Sequence, residues 1–299
     1  MLSNLDDRMK MKVIDGKSIA NKLKRAISLD VEDFRRQIGI TPGIAVVIVG
    51  NNPASEVYVK TKQKQAFEVR MNSYKIALPL DVLEDRLLFE IEKLNKNPNV
   101  HGILVQLPLP KHISEHKVIN TILPDKDVDG FTIENAGRLS IGMIDGTLIP
   151  CTPMGCVLLL KDVFGDNLCG KDVLVIGASN IVGKPLAYLL LYEKCTVTIA
   201  HSKTLDLKTK CKNADIIISA TGITSLIKPD MIKNGTTIID VGITRITDPS
   251  GNIQIVGDVD FHGCIKKAFA ITPVPGGVGP MTIACLLKNT IICARRLHK

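Results

Sequence analysis

The feature that most constrains this chain is a repeated alternation. A short, unbroken run of β-branched and aliphatic residues is followed by a stretch with helical periodicity, and the pattern then begins again. Residues 44–49 form the clearest run, closed by Gly50. A strand that is apolar at every position is buried on both faces, the condition of a parallel sheet covered by helices. In the first half the same reading predicts further strands at 73–78 and 101–107, the latter stopped by Pro108 and Pro110. Helical periodicity falls at 17–38, from Asn52-Pro53 to about Arg70, and at 82–95, with Asn52 as a cap and Pro53 in the first helical position. Residues 124–153 are rich in Gly, Pro and Asp and predict an irregular connecting and functional region rather than a plain linker. Beyond it the alternation restarts, with strands at 173–177, 196–200, 215–219 and 237–241 and a helix at 183–193. Two parallel α/β units follow from this order, without an internal sequence repeat.

Composition narrows the function. Apolar residues make up 45% of the chain, enough for a core and too many for a disordered chain. Aromatic residues are 4% and Trp is absent, so the core is aliphatic and little is left for stacking on single-stranded bases. The formal charge is +8, basic without being extreme. No apolar run reaches the roughly 18 residues of a membrane span, since 281–294 is broken by Lys288 and Asn289. Asp6 and Asp7 and the lack of an apolar segment at the start predict neither a secretory signal nor a transit peptide, and Met9 and Met11 are alternative starts to Met1. The eight cysteines form no C-x-x-C and read as buried free thiols of a reducing cytoplasm. His112 and His116 could share a helix face but have no third ligand nearby, so no metal site is predicted.

Several segments carry chemistry. A strand ends at Gly177 and a helix follows from Gly183. Helix N-termini offer unpaired N–H groups to a pyrophosphate, although the spacing here is G-x-x-x-x-x-G, and a plain tight turn has the same pattern. At the tip of the next strand, where an acid would select NAD, stand His201, Ser202, Lys203 and Thr204. Hydroxyls and a cation suit a 2′-phosphate and therefore NADP; an ordinary polar strand end looks the same. Gly165 to Lys171 matches G-x-x-x-x-G-K, but Asp172 follows it and it precedes a strand, so it is no P-loop.

Ser55, Tyr58 and Lys62 are spaced three and four apart on one helix face, with Lys60 and Lys64 about 200° around from Lys62. A lysine on a semi-apolar face either snorkels to solvent or loses its proton readily and serves as a base. Gln106 lies at the carboxyl end of a parallel strand, where open α/β sheets bind ligands. Asp127 and Asp129 lie in an acidic turn closed by Gly130, and three Gly and three Pro between Pro273 and Pro280 make a rigid loop with little side chain.

The S-x-x-Y-x-x-x-K helix, VQLPLP at 105–110, KDVDGF at 126–131, PCTP at 150–153, GASNIVGKP at 177–185 and TPVPGGVGPMT at 272–282 occur in one order that resembles the bifunctional methylenetetrahydrofolate dehydrogenase/cyclohydrolase family. Each segment alone says little; six in order are highly specific. The resemblance runs from about Val13 to Arg296. It implies an α/β fold of two domains with a cleft between them: a folate-binding catalytic domain at 1–150 completed by the helix at 281–299, and a Rossmann-like NADP-binding domain at 151–280. It implies NADP-linked oxidation of methylenetetrahydrofolate, then hydrolysis of the methenyl product to 10-formyltetrahydrofolate. Among the residues, it makes Lys62 the catalytic lysine, with Gln106 bonded to it, Tyr58 lining the pterin site and Asp129 holding the pterin's amino edge. Ser55, Pro273, Gly276 and Gly277 join the folate site, and Gly177, Ala178, Ser179, Ile181, Ser202, Lys203 and Ile243 hold the dinucleotide. A homodimer through the dinucleotide domain is implied as well.

Two positions depart from the family pattern. Arg70-Met71 stands where the lysine helix often ends in Gly-Ile, and Ala178 stands where some relatives carry an Arg for the 2′-phosphate. The competing readings are an NADP oxidoreductase of the same architecture without hydrolase activity, against which the Tyr58, Lys62 and Gln106 set speaks, and a non-catalytic binding protein, against which Lys62 speaks.

Overall fold

The computed structural model describes residues 12–247 and 251–298; the alternative starts Met1, Met9 and Met11 lie outside them. In chain order the elements are β1 (Lys12–Val13), α1 (Gly16–Ile38), β2 (Gly43–Val49), α2 (Pro53–Glu68), β3 (Asn72–Leu78), α3 (Glu84–Lys96), β4 (Gly102–Val105), α4 (Glu115–Thr121), α5 (Ile133–Ser140) and α6 (Cys151–Phe164). They continue as β5 (Asp172–Ile176), α7 (Gly183–Tyr192), β6 (Thr196–Ala200), α8 (Leu207–Asn213), β7 (Ile216–Ser219), β8 (Thr237–Asp240), β9 (Thr244–Thr247), β10 (Ile253–Val256), α9 (Phe261–Cys264), β11 (Ala270–Ile271) and α10 (Val278–Leu297).

The chain divides into two compact units. Among the described residues, one comprises Ala20–Cys151 and Ile283–His298, and the other comprises Lys12–Ile19 and Thr152–Thr282. Residues 12–19, grouped above with the first domain, pack with the second instead. Its strand β1 pairs in parallel with β11, Lys12 opposite Ala270 and Val13 opposite Ile271.

In the first unit, β3, β2 and β4 form a parallel sheet with β2 in the centre. Every residue of β2 is buried, which explains its unbroken apolar run, whereas the outer strand β3 alternates in exposure. Ala45, Val47 and Val49 pack with Leu87 and Ile91 of α3 and with Ile103 and Val105 of β4 in one aliphatic core. Lys126 looks charged and exposed in the sequence but is buried, and its Nζ donates to the Leu94, Asn95 and Asn97 carbonyls. It thereby caps the C-terminus of α3, where unpaired carbonyls gather.

In the second unit six strands run in the order β1-β11-β8-β7-β5-β6, with all pairings parallel. The chain leaves β5 to β6 on one side and later returns to β7 on the other. The carboxyl end of β5 is therefore the switch point at which open α/β sheets receive ligands.

Three differences from the sequence reading stand out. Residues 124–153 contain α5, capped by the Thr132 hydroxyl, and the start of α6. The hairpin of β9 and β10 has no counterpart among the predicted strands. His112 precedes α4 and its ring contacts the Val82 carbonyl, so it shares no helix face with His116.

Candidate active site

Helix α2 places Lys62 towards the carboxyl end of β4. The Gln106 N–H donates to the Val47 carbonyl at 2.8 Å, so the residue continues the ladder just past the strand end. Its side-chain amide N–H donates to the Leu107 carbonyl at 2.8 Å, which turns the amide oxygen towards Lys62; Lys62 Nζ donates to that oxygen at 2.9 Å. The structure thus brings Lys62 and Gln106 together, while Lys60 and Lys64 are exposed. Burial lowers the Lys62 pKa from its ordinary value, and the nearby charge of Asp129 and the Cys151 thiol oppose that shift. Gln106 fixes the ammonium or amine without adding a charge. Tyr58 on the same helix is 38% exposed, and the Ser55 N–H donates to the Asn52 side-chain oxygen that caps the helix.

The two acids of the KDVDGF turn have different tasks, although nothing in their spacing separates them. The Asp127 carboxylate is buried and accepts from the Gly130 N–H, the Thr132 N–H and the Asn135 amide at 2.8–3.0 Å. It builds the turn. Gly130 holds φ +70° there, and a Cβ on it would strike the Leu148 carbonyl. Asp129 is left to face Lys62. Burial raises its carboxyl to about 6; Lys62 pulls it down, Asp127 pushes it up, and the neighbouring Cys151 thiol pulls it down.

Cys151 is one of the residues sequence reasoning missed. Read as one more inert thiol, it sits buried beside Asp129, with Sγ donating to the Val128 carbonyl at 3.2 Å. Burial first, then the charge of Asp129, pushes the thiol well above its usual range. The other is Asn289 in α10, 1% exposed, whose side-chain amide donates to the Val128 and Ile149 carbonyls. The signal was present as a lone amide in the apolar stretch 281–294, since a buried amide needs partners. Of the cysteines, Cys169 alone is exposed, against the reading of all eight as buried.

The second unit holds the remaining candidates. Gly177 leaves β5 at φ +116°, and a Cβ there would strike the Ala220 carbonyl. The free N–H groups expected at the start of α7 are partly taken: Ser179 Oγ accepts from Val182 and Gly183 at 3.1 and 3.3 Å. After β6, residues 201–204 form a turn closed by Thr204 N–H to the His201 carbonyl, leaving the side chains of Ser202 and Lys203 exposed. Ala178 is partly buried, and Ile181 and Ile243, beyond the ends of β5 and β8, are exposed apolar side chains. Two buried carboxylates organise this edge. Asp240 accepts from the Gly242, Asp258 and Val259 N–H groups, and Asp258 accepts from Ser219 and Thr221. Pro273, Gly276 and Gly277 lie in the loop before α10, where Gly277 N–H donates to the Pro273 carbonyl and the Gly276 carbonyl accepts from Lys17 N–H. Among the described residues no group of three His, Cys, Asp or Glu side chains gathers to hold a metal.

Residues 14–129 match the family described as tetrahydrofolate dehydrogenase/cyclohydrolase, catalytic domain, and residues 150–298 match its NAD(P)-binding domain. The chain is 57% identical over 288 residues to the bifunctional protein FolD of Paramagnetospirillum magneticum, covering 96% of this chain and 97% of that one. It is similar to the crystal structure of the bifunctional enzyme FolD, a methylenetetrahydrofolate dehydrogenase/cyclohydrolase, from Campylobacter jejuni. The TM-score is 0.91 at 45% identity, over 96% and 99% of the two chains. The FolD enzyme of Trypanosoma brucei, solved with NADP cofactor and inhibitor, gives a TM-score of 0.90 at 38% identity, over 95% and 97%.

Proposed function

The chain belongs to the tetrahydrofolate dehydrogenase/cyclohydrolase family, and from that premise we propose how its own residues divide the work. It is a bifunctional enzyme of folate one-carbon metabolism, a dehydrogenase on 5,10-methylenetetrahydrofolate and a cyclohydrolase on the methenyl product. In the second reaction water adds to the methenyl carbon, a C–N bond of the ring breaks, and 10-formyltetrahydrofolate and a proton leave.

The observation that carries the reading is the contact of Lys62 Nζ with Gln106 Oε1 at 2.9 Å in a partly buried site that favours the neutral amine. Neutral Lys62 takes the proton of the attacking water and returns it to the ring nitrogen as the ring opens. Gln106 holds the amine in place and, being uncharged, does not trap that proton. Asp129 sets how readily Lys62 gives its proton up, and its carboxylate accepts N–H bonds from the pterin's amino edge. Tyr58 and Ser55 present an aromatic face and a hydroxyl on the same helix. In the second unit Pro273, Gly276 and Gly277 form a tight loop with little side chain.

The second unit is an NAD(P)-binding domain, and we assign NADP to it. The residues present fit a dinucleotide. Gly177 gives a turn without side chain at the switch point, Ile181 and Ile243 expose apolar surface for a flat ring, and Ser202 and Lys203 are free beside the tip of β6. When bound, NADP supplies the acceptor for the hydride of the methylene carbon. No acid lies in 196–205 to repel a 2′-phosphate, and Lys203 provides charge that strengthens a hydrogen bond to it. A dehydrogenase assay with each dinucleotide tests this. NADP is preferred, by a moderate margin because Ala178 adds no guanidinium, and Ser202→Asp raises the KM for NADP far more than that for NAD with kcat nearly unchanged. An unchanged ratio places phosphate recognition elsewhere.

The enzyme is further assigned as a homodimer in the cytoplasm. The edge strand β6 exposes Thr196, Thr198 and Ile199, and α7 exposes Tyr188, Leu191 and Tyr192, which supports an interface there. Free, mostly buried thiols support a reducing compartment. No helix among the described residues is long and apolar enough to cross a membrane.

A further inference from the structure

We propose that Asn289 is a positioning residue for the hydrolysis step: from α10 it holds the peptide that carries Asp129, and through it the distance between that carboxylate and Lys62. The inference rests on the role of Lys62 given above.

Asn289 is 1% exposed, and the positions one helical turn away, Cys285, Leu286, Ile292 and Cys293, are apolar. Its Nδ2 donates to the Val128 carbonyl at 2.8 Å and to the Ile149 carbonyl at 2.9 Å, and lies 3.7 Å from Cys151 Sγ. Val128 is the residue before Asp129, and its carbonyl belongs to the peptide whose nitrogen is that of Asp129. Ile149 precedes Pro150 and Cys151. One amide therefore ties together the two segments that bring the carboxylate and the thiol to Lys62.

The rest of the turn does not do this. Asp127 is held by the turn's own N–H groups and by Asn135, and the Gly130 N–H also donates to its backbone carbonyl; the Val128 carbonyl shares in none of these bonds and takes its donors from Asn289 and Cys151. The Val128 carbonyl has a second donor in the Cys151 thiol, whose sulfur in turn accepts a long contact from Asn289 Nδ2. Removing the amide leaves the partly buried Ile149 carbonyl without its donor and the buried Val128 carbonyl with the thiol alone, and such groups move to find water or another partner. The 128–129 peptide then swings, and the Asp129 charge withdraws from Lys62. The groups facing this pair are Cys151, which contacts Asp129 and acts on Lys62, Asp127 on the turn and Cys285 on α10 behind Cys151. None of them replaces the lost carboxylate at Lys62.

The sign of the effect follows. The Asp129 charge favours protonated Lys62. Weakening it makes the neutral amine available at lower pH, so the rising limb of the hydrolysis rate moves to lower pH. The test measures methenyltetrahydrofolate hydrolysis against pH, without dinucleotide, for the full chain and for Asn289→Ala, Asn289→Ser, Asp129→Ala and Thr290→Ala. Thr290 is the neighbouring buried polar residue, and its hydroxyl bonds to the Leu286 carbonyl of its own helix. Asn289→Ala should move the limb down by about half a pH unit or more. Asn289→Ser, which keeps one donor and a smaller disturbance, should move it less, and Asp129→Ala in the same direction and at least as far. Thr290→Ala should leave it in place. If Asn289→Ala does not fold, the Ser variant decides. A parental limb in the folded Asn289 variants overturns the proposal even where the rate has fallen. Parental hydrolysis by Lys62→Met would overturn the role of Lys62 itself, and with it this inference.

Discussion

A half-buried amine and a half-buried carboxylate close to one another set each other's proton affinity. Lys62 is pushed towards its neutral form by burial and held back by Asp129, while Asp129 is pushed up to about 6 by burial and held back by Lys62. Removing either charge frees the other from its restraint. Asp129→Ala should therefore have two separable effects. It should raise the KM for the folate while sparing dinucleotide affinity, because a carboxylate that accepts N–H bonds is lost and each unpaired donor costs about 1–3 kcal/mol. It should also move the rising limb of the hydrolysis rate to lower pH, as titration of the rate shows. Equal loss of both ligands would mark a folding defect. At this scale the sequence was only half legible. Lys62 was set apart from Lys60 and Lys64 by helical spacing, and the structure agrees. Asp127 and Asp129 are two apart in one turn, and which one is consumed by backbone N–H groups is decided by the path of residues 130–135. Cys151 and Asn289 meet across 138 residues, beyond the reach of any local pattern.

Helices and strands were legible where a period or an unbroken apolar run marks them. Strand β2 and helices α1 and α2 lie close to the ranges read from the residues. Helix α6 escaped because it is apolar on most faces and opens with Cys-Thr-Pro, so it shows no alternation of faces. The short strands β9 and β10 bury no residue fully, so no unbroken apolar run marks them. The end of α2 gives a prediction of its own. Arg70 adopts φ +65°, donating its N–H to the Phe67 carbonyl, while Met71 N–H donates to Ala66. The helix thus ends in a left-handed residue, a place glycine fills without strain, and here an arginine bears the cost. Arg70 also pairs with Glu32, but both are exposed and such pairs contribute little. Arg70→Gly should stabilise the chain by about 0.5–1 kcal/mol in denaturant unfolding with activity unchanged. Destabilisation would show that the ion pair outweighs the backbone strain.

For the whole molecule, the chain combines a catalytic domain with an NAD(P)-binding domain, and each is built around its own parallel sheet. If copies associate through β6, sedimentation velocity should show a dimer that Ile199→Asp shifts towards monomer, because a charge on that exposed edge blocks strand-to-strand association. An unshifted dimer would place the interface elsewhere. In the mechanism proposed above, hydrolysis depends on the proton of Lys62 and dinucleotide binding does not. The most direct measurement is methenyltetrahydrofolate hydrolysis, followed spectrophotometrically without dinucleotide, by Lys62→Met and Lys60→Met beside the parent, with NADP affinity measured on the same samples. Lys62→Met should lose hydrolysis while retaining its fold and its NADP affinity, and Lys60→Met should hydrolyse at nearly the parental rate. Hydrolysis by Lys62→Met at the parental rate would contradict that mechanism.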